Sequence, residues 1–271
     1  MLAAGSSCPG STPRTEVTIR PLNNGPPPTG GLWRALNRLA AGTVTGPGTL
    51  ELYFPLLSTE PFWETSNMSG SNQSSEEDSF RTQFWVRRWE REKKPWDLGR
   101  IPPNLASFLT RTGPAQARVL IPGCGSGYEV TAFHQAGHEV EAIDFSGPAV
   151  AHARNVLGPL GNRVIHGNFF KHDFGERRYG LIYERGFLCS FAPSHWAEYV
   201  ARMADLLQPG GRLVGLFLYG QEPEPPPFPL TDETAAAVLG CSFRLVNAEA
   251  AEAESVPVYQ GKERWQEWER I

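Results

Sequence analysis

The sequence is poor in the features that most directly mark a function. Its four cysteines, Cys8, Cys124, Cys189 and Cys241, include no Cys-x-x-Cys pair. That scatter supports neither a disulfide framework nor a zinc site and fits a reducing compartment. The six histidines are equally dispersed. His166 and His172 flank an expected strand end, where surface or capping roles suit them better than a ligand pair, so no metal is expected. Basic residues are not in surplus, since 25 Lys and Arg against 29 Asp and Glu leave a net charge of −4. This argues against a dedicated nucleic-acid binder, whose affinity rests on neutralising phosphates. No run approaches the roughly eighteen apolar residues that a membrane span needs. A cytoplasmic protein is expected, and a monomer, because nothing in the surface pattern demands a dimer.

Beyond these absences, 271 residues with 40% hydrophobic and 20% charged side chains are enough for one catalytic domain with a full core and an extension. The extension is residues 1–78. It holds nine each of Gly, Pro, Ser and Thr and no Lys, a composition that buries too little apolar surface to offset the entropy of ordering it. It is expected to be largely disordered, with short ordered pieces at Gly31 to Ala41 and Leu50 to Leu57. A targeting peptide is the alternative, because Arg14, Arg20, Arg34 and Arg38 are spread through a stretch where acids are sparse. Its Gly and Pro content and Glu16 weigh against that.

In residues 79–271 the most informative stretch is Val119-Leu120-Ile121-Pro122-Gly123-Cys124-Gly125-Ser126-Gly127-Tyr128, with Asp144 twenty-one residues after Gly123. Arg118 to Ile121 is a short apolar run of the kind that forms a buried parallel strand. Three glycines then allow a sharp turn and close approach of backbone to a ligand. Tyr128 to Gln135 resumes as a helix, and Glu139 to Asp144 is a second strand ending in a carboxylate placed to accept two ribose hydroxyls. The pattern fits an S-adenosylmethionine pocket. A nicotinamide or flavin site would need glycine where Tyr128 stands, and a reductase would also need a Tyr-x-x-x-Lys pair, whereas Tyr199 is followed by Arg202-Met203. An ordinary strand-to-helix turn with no ligand is the remaining alternative.

The elements that follow predict a doubly wound, mostly parallel α/β fold. Gly147 to Leu157 is a helix, Asn162 to Gly167 and Gly180 to Glu184 are strands, Pro193 to Leu207 is an amphipathic helix ended at Pro209-Gly210-Gly211, and Arg212 to Tyr219 is an apolar fifth strand. Ser242 to Val246 and Glu263 to Glu269 suit an antiparallel closing pair, although Trp265 and Trp268 would also suit a short helix. Upstream, Trp85 and Trp89 are four apart and share one face of a helix that Pro95 is expected to end. The pair caps a core or, given its place before the nucleotide-binding half, forms an aromatic lid over a sulfonium cation.

Trp85, Trp89 and Pro95-Trp96-Asp97, then Ile121 to Gly127, Gly167-Asn168-Phe169-Phe170, Tyr183-Glu184-Arg185-Gly186 and Pro226-Pro227-Phe228 stand in the order found in the thiopurine S-methyltransferase superfamily. The chain resembles the halide and thiol methyltransferase branch most, because Gly261-Lys262-Glu263-Arg264-Trp265 is similar to that branch's terminal signature. The resemblance implies a seven-stranded, Rossmann-like class I methyltransferase fold, adenosylmethionine as donor, adenosylhomocysteine as product and a small thiol or halide as acceptor. It places Trp85, Trp89 and Trp96 around the methionine part of the donor, Gly123 and Gly125 at its backbone, Asp144 at the ribose, Phe145 against the adenine, and Asn168 with Phe169 at the adenine edge. Glu184 falls beside the cofactor, and Arg185 matches an arginine near the acceptor thiol, where its cation would favour the thiolate. A purely structural partnership with a carboxylate is the alternative for Arg185. Asn168 and Glu184 stand where aspartate is frequent in that family. A catalytically silent, donor-binding module is the alternative for the protein.

Overall fold

The computed structural model describes residues 43–44, 50–51, 83–113, 116–222, 225–251, 256–259 and 261–271. Two short strands, β1 (Thr43–Val44) and β2 (Leu50–Glu51), pair antiparallel with each other. The ordered piece expected at Gly31 to Ala41, and all but the first two residues of that at Leu50 to Leu57, lie outside the described residues, as does most of the expected disordered extension.

The larger body is a seven-stranded sheet flanked by helices. In chain order its elements are helix α1 (residues 83–90), α2 (Pro103–Thr112), β3 (Arg118–Pro122), α3 (Tyr128–Gln135), β4 (Glu139–Asp144), α4 (Gly147–Leu157), β5 (Val164–His166), β6 (Tyr179–Arg185), α5 (Trp196–Leu206), β7 (Leu207–Leu218), α6 (Asp232–Leu239), β8 (Phe243–Ala250) and β9 (Glu263–Arg270). The sheet order is β5-β4-β3-β6-β7-β9-β8, and β9 alone runs against the other six.

Side-chain alternation on the strands sorts the core into two layers. Leu120, Ile143, Ile182, Leu213 and Phe217 face one layer, closed by Trp196, Tyr199, Val200, Met203 and Leu206 of α5 and by Ala235 and Leu239 of α6. Val119, Ile121, Val140, Ala142, Leu181, Tyr183 and Val214 face the other, closed by Leu105 and Phe108 of α2, Val130 and Phe133 of α3, and Val150, Ala153 and Leu157 of α4. Burial on both faces accounts for the unbroken apolar runs in β3 and β7. The order in which strands are added reverses between the parallel neighbours β3 and β6, so the crevice beyond their C-terminal ends is where a doubly wound sheet takes its ligand.

Several boundaries differ from expectation for local reasons. Helix α1 stops at residue 90, well before Pro95. Lys93 N donates to Arg88 O at 3.0 Å, Glu92 N donates to Trp89 O at 3.1 Å, and Glu92 adopts φ +53°. That is a Schellman ending with glutamate in the left-handed position. The third strand shrinks to Val164–His166 because Pro159 opens a 3-10 turn over Gly158–Arg163. The helix expected from Pro193 begins with a 3-10 turn at Pro193–His195 before α5 proper. The segment Pro209-Gly210-Gly211 is an excursion within β7 rather than a break before it, since Leu207 pairs with Tyr179 and Arg212 with Leu181.

The ambiguity at Trp265 and Trp268 resolves as strand. Three apart on β9, they face opposite layers: Trp268 joins the layer with α5, and Trp265 packs against Phe108 of α2 with ring centroids 5.5 Å apart. Among the described residues, no helix is long and apolar enough to cross a membrane.

Candidate functional site

The glycine turn sits at the crevice. Gly123, Gly125 and Gly127 adopt φ of +58°, +51° and +74°, the left-handed region that glycine enters without steric cost. A Cβ on Gly123 would collide with the Phe187 ring, and one on Gly125 would lie 3.3 Å from Trp89 Cζ2. Position 123 therefore needs glycine for room as well as for φ, and position 125 chiefly for φ. Asp144, at the tip of β4, holds the turn in place. One carboxylate oxygen accepts Gly125 N at 3.0 Å and the other accepts Ser146 N at 2.8 Å. Burial raises its pKa, and the hydrogen bonds from Ser146 and Gly125 work against that rise. A carboxylate has about four acceptor sites, so the two amides do not exhaust its capacity to accept.

Asp144→Ala would strand both backbone donors in a buried setting, at a cost of about 1–3 kcal/mol for each one left unsatisfied. The expected result is a lower melting temperature together with at least tenfold weaker adenosylhomocysteine binding by calorimetry. Unchanged affinity would remove Asp144 from the donor site.

The tryptophan segment forms the opposite wall. Trp89 is buried against the glycine turn, with Lys94 Nζ 4.4 Å from its ring centroid. Trp85 and Trp96 meet edge to face, centroids 5.2 Å apart. Asp97 joins the two walls: its Oδ2 accepts Ser126 Oγ at 2.5 Å, and its Oδ1 accepts Gly99 N at 2.8 Å.

The third side comes from β6 and β9. Arg185 is 15% exposed, with Nη1 3.8 Å from Glu129 Oε1. Burial disfavours its charge, but Tyr183, Glu129, Glu263 and Asp97 around it more than offset that and hold its pKa above the ordinary arginine value. Burial likewise raises the Glu129 pKa, and Arg185 opposes the rise. Gly186, Phe187, Ser190, Tyr259 and Glu263 complete the cleft.

Of the residues singled out from the sequence, Trp85, Trp89, Trp96, Gly123, Gly125, Asp144, Phe145 and Arg185 all line this cleft. Three do not. Asn168 Oδ1 accepts the backbone N–H of Phe170 at 2.9 Å and of Lys171 at 3.3 Å, which closes its own loop. Phe169 is buried in an aromatic cluster with Phe170, Phe174 and Phe187. Glu184 is 1% exposed, and its Oε1 accepts Phe187 N and Leu188 N.

Asp97, Glu129, Phe187 and Tyr259 line the cleft without having been singled out as site residues. Asp97 stood within the Pro95-Trp96-Asp97 motif, and Glu129 lies two residues past the last glycine, each too close to a motif to attract notice by itself. Tyr259 carries no local signal. Among the described residues, no cluster of three or more His, Cys, Asp or Glu side chains could hold a metal ion.

This strand order, with one antiparallel strand set inside a parallel sheet and a glycine turn at the reversal point, is the class I methyltransferase fold. The chain matches the thiopurine S-methyltransferase family over residues 80–271, and it belongs to that family. It is an adenosylmethionine-dependent methyltransferase. It is 33% identical over 136 residues to a probable thiol methyltransferase 2 of Arabidopsis thaliana, a match spanning 49% of this chain and 60% of that one. It is 29% identical over 193 residues to thiocyanate methyltransferase 1 of the same plant, covering 69% of this chain and 84% of the relative. Among solved structures, a Burkholderia thailandensis 1,6-didemethyltoxoflavin N1-methyltransferase containing adenosylhomocysteine superposes with a TM-score of 0.60 at 20% identity, over 76% of this chain and 92% of that one.

Proposed function

We propose that residues 79–271 methylate a small soft nucleophile, a thiol first and a halide second, in the cleft between the glycine turn and the tryptophan wall, and that residues 1–78 are an extension outside the catalytic unit. The observation that carries this reading is the convergence on one cleft of a glycine turn with room for no side chain, an indole wall and a single buried guanidinium. Bound there, adenosylmethionine supplies a methyl carbon on a positively charged sulfur, open to in-line displacement by a soft nucleophile, with adenosylhomocysteine as product.

The chain's own residues do the rest. The turn at Gly123 and Gly125 brings backbone close to the donor, and Asp144 receives its hydroxyls. The indole faces of Trp85, Trp89 and Trp96 attract the sulfonium charge and exclude water. Arg185 stands beside the acceptor and favours its anionic form. Its own pKa is too high for it to remove the proton, so it acts by charge. Positioning in a dry site then supplies most of the acceleration, and no Lewis acid is required for a leaving group that is already cationic.

On this reading the protein is a cytoplasmic monomer that works on small molecules, without nucleic acid or membrane; the net charge of −4, with no basic surplus, supports the part that concerns nucleic acid.

The deciding experiment is acceptor-dependent formation of adenosylhomocysteine, followed by mass spectrometry in parallel reactions with hydrosulfide, methanethiol, an aromatic thiol and iodide. Turnover with thiols is expected. Donor binding without turnover on any acceptor would make this a silent binding module instead. Arg185→Lys keeps a charge opposite Glu129 but loses the planar fork, and should lower kcat/KM for thiols by about 10- to 100-fold. Donor affinity should stay within a few-fold. Equal activity in the two proteins would assign Arg185 to the ion pair alone.

A further inference from the structure

Glu184 is among the most deeply buried charged side chains described, yet it does not reach the cleft. Its Oε1 accepts two backbone N–H groups in succession, from Phe187 at 3.1 Å and Leu188 at 2.6 Å. Those amides open the short 3-10 turn Leu188–Ser190, so the carboxyl group caps the turn much as an N-cap side chain closes a helix. Its other oxygen, Oε2, is buried with no hydrogen-bond partner among the described residues, as is the Tyr199 hydroxyl.

The capped turn is not a remote one. Phe187 lies against Gly123, and Gly186, Phe187 and Ser190 line the cleft. Beyond them, Cys189 O accepts Phe228 N at 2.7 Å, which ties the proline-rich segment around Phe228 to the same turn. A chain of contacts thus runs from one buried carboxyl group to the lining of the cleft and to the proline-rich segment outside it.

We propose that Glu184 is the positioning residue of this turn, holding Phe187 against the glycine turn and the Phe228 segment against Cys189, and that it does so as the neutral acid. This inference rests on the methyltransferase reading only for its activity measurements. Two buried amides donate to Oε1, and no cation reaches Oε2; the groups that face the carboxyl are Glu263 on β9, Tyr199 on α5, Cys189 in the turn and Tyr183 on its own strand. The Gly186 backbone amide lies beside the carboxyl as well, but Oε2 accepts no hydrogen bond from any of them. Burial raises the Glu184 pKa to about 8, with Glu263 adding to the rise and the Leu188, Phe187 and Gly186 amides opposing it.

The folded protein then keeps a proton that the unfolded chain releases near pH 4.5, the ordinary value. Stability attributable to this group falls as pH rises from about 4.5 to about 8 and levels off above.

The test compares wild type with Glu184→Gln, which keeps an acceptor for the two amides and is neutral at every pH, and with Glu184→Ala, which loses the cap. The first readout needs no activity. Hydrogen exchange at the Phe187 and Leu188 amides should speed up at least tenfold in Glu184→Ala and stay near wild type in Glu184→Gln. The second is the pH profile of acceptor kcat/KM at saturating donor. Wild-type activity should fall above about pH 8, whereas Glu184→Gln should lack that limb.

Melting temperatures of wild type should decline from pH 5 to 8 relative to Glu184→Gln. A group with a merely structural role would lower stability without moving the alkaline limb. Equal amide protection in wild type and Glu184→Ala, or superimposable pH profiles for wild type and Glu184→Gln, would overturn the proposal. If no acceptor turns over, the exchange and melting data still decide it, and only the methyltransferase reading fails.

Discussion

Gly123→Ala is expected to abolish donor binding, raising the dissociation constant for adenosylhomocysteine at least a hundredfold. Two costs combine. An L side chain at φ +58° gives up about 1–2 kcal/mol to backbone strain. The new methyl group also falls inside van der Waals contact with Phe187, whose ring is locked by edge-to-face neighbours Phe169 at 5.3 Å and Phe191 at 4.8 Å. Relief requires either the aromatic cluster or the glycine turn to move, and both border the cleft. About 3 kcal/mol in total corresponds to the hundredfold. Calorimetric titration checks it, and wild-type affinity in the variant would show that backbone proximity at residue 123 plays no part in binding.

A larger loss, in folding rather than binding, is expected for Gly215→Ala. Gly215 lies in β7 directly opposite Glu184 of β6, and a Cβ there would overlap the Glu184 carbonyl group. Backbone in the middle of a seven-stranded sheet cannot swing aside as a flexible side chain can, so relief means breaking the β6–β7 ladder. Destabilisation above about 4 kcal/mol is expected, at the far end of what single substitutions produce. Urea unfolding should show it, or the variant should fail to accumulate as folded protein. Gly99→Ala is the control: its φ is +72° but no atom lies within 4 Å of the added carbon, so only the backbone term of about 1–2 kcal/mol applies. Equal losses in the two variants would mean that crowding at Gly215 is not real.

The first half of the sheet was legible from sequence because its signals are local. Tyr128–Gln135, Glu139–Asp144 and Gly147–Leu157 have the expected bounds, each set by a glycine turn, an apolar run or Ser146 accepting Ala149 N at the start of α4. Helices α2 and α6 escaped notice. Pro102-Pro103 reads as a break, although proline suits the first turn of a helix. Helix α6 buries only Ala235 and Leu239, too little for a visible apolar stripe, and its capping box uses Thr234 where Glu or Gln is usual.

The site divides along the same line. The glycines, Asp144 and the tryptophans announce themselves by spacing, and the structure brings them into one cleft. The Asp97–Ser126 and Arg185–Glu129 pairs join segments far apart in sequence, and no local pattern encodes such a meeting. Glu184 was visible as a motif residue, but the turn it caps was not, because a carboxyl group's hydrogen-bond partners depend on where the chain folds back.

Strand β9 follows every other strand of the sheet in sequence, yet it lies inside the sheet, bonded to β7 on one side and β8 on the other along nearly its whole length. In a chain synthesised from its N-terminus, β9 therefore emerges after both of its neighbours. Until Glu263–Arg270 arrives, β7 presents an open, apolar edge and β8 has no partner, a state that invites pairing with other chains. Glu263, a cleft residue, reaches its place only with that last insertion. The same strand thus closes the sheet and completes the cleft, so a nascent chain that lacks it lacks both a sealed β7 edge and a finished site.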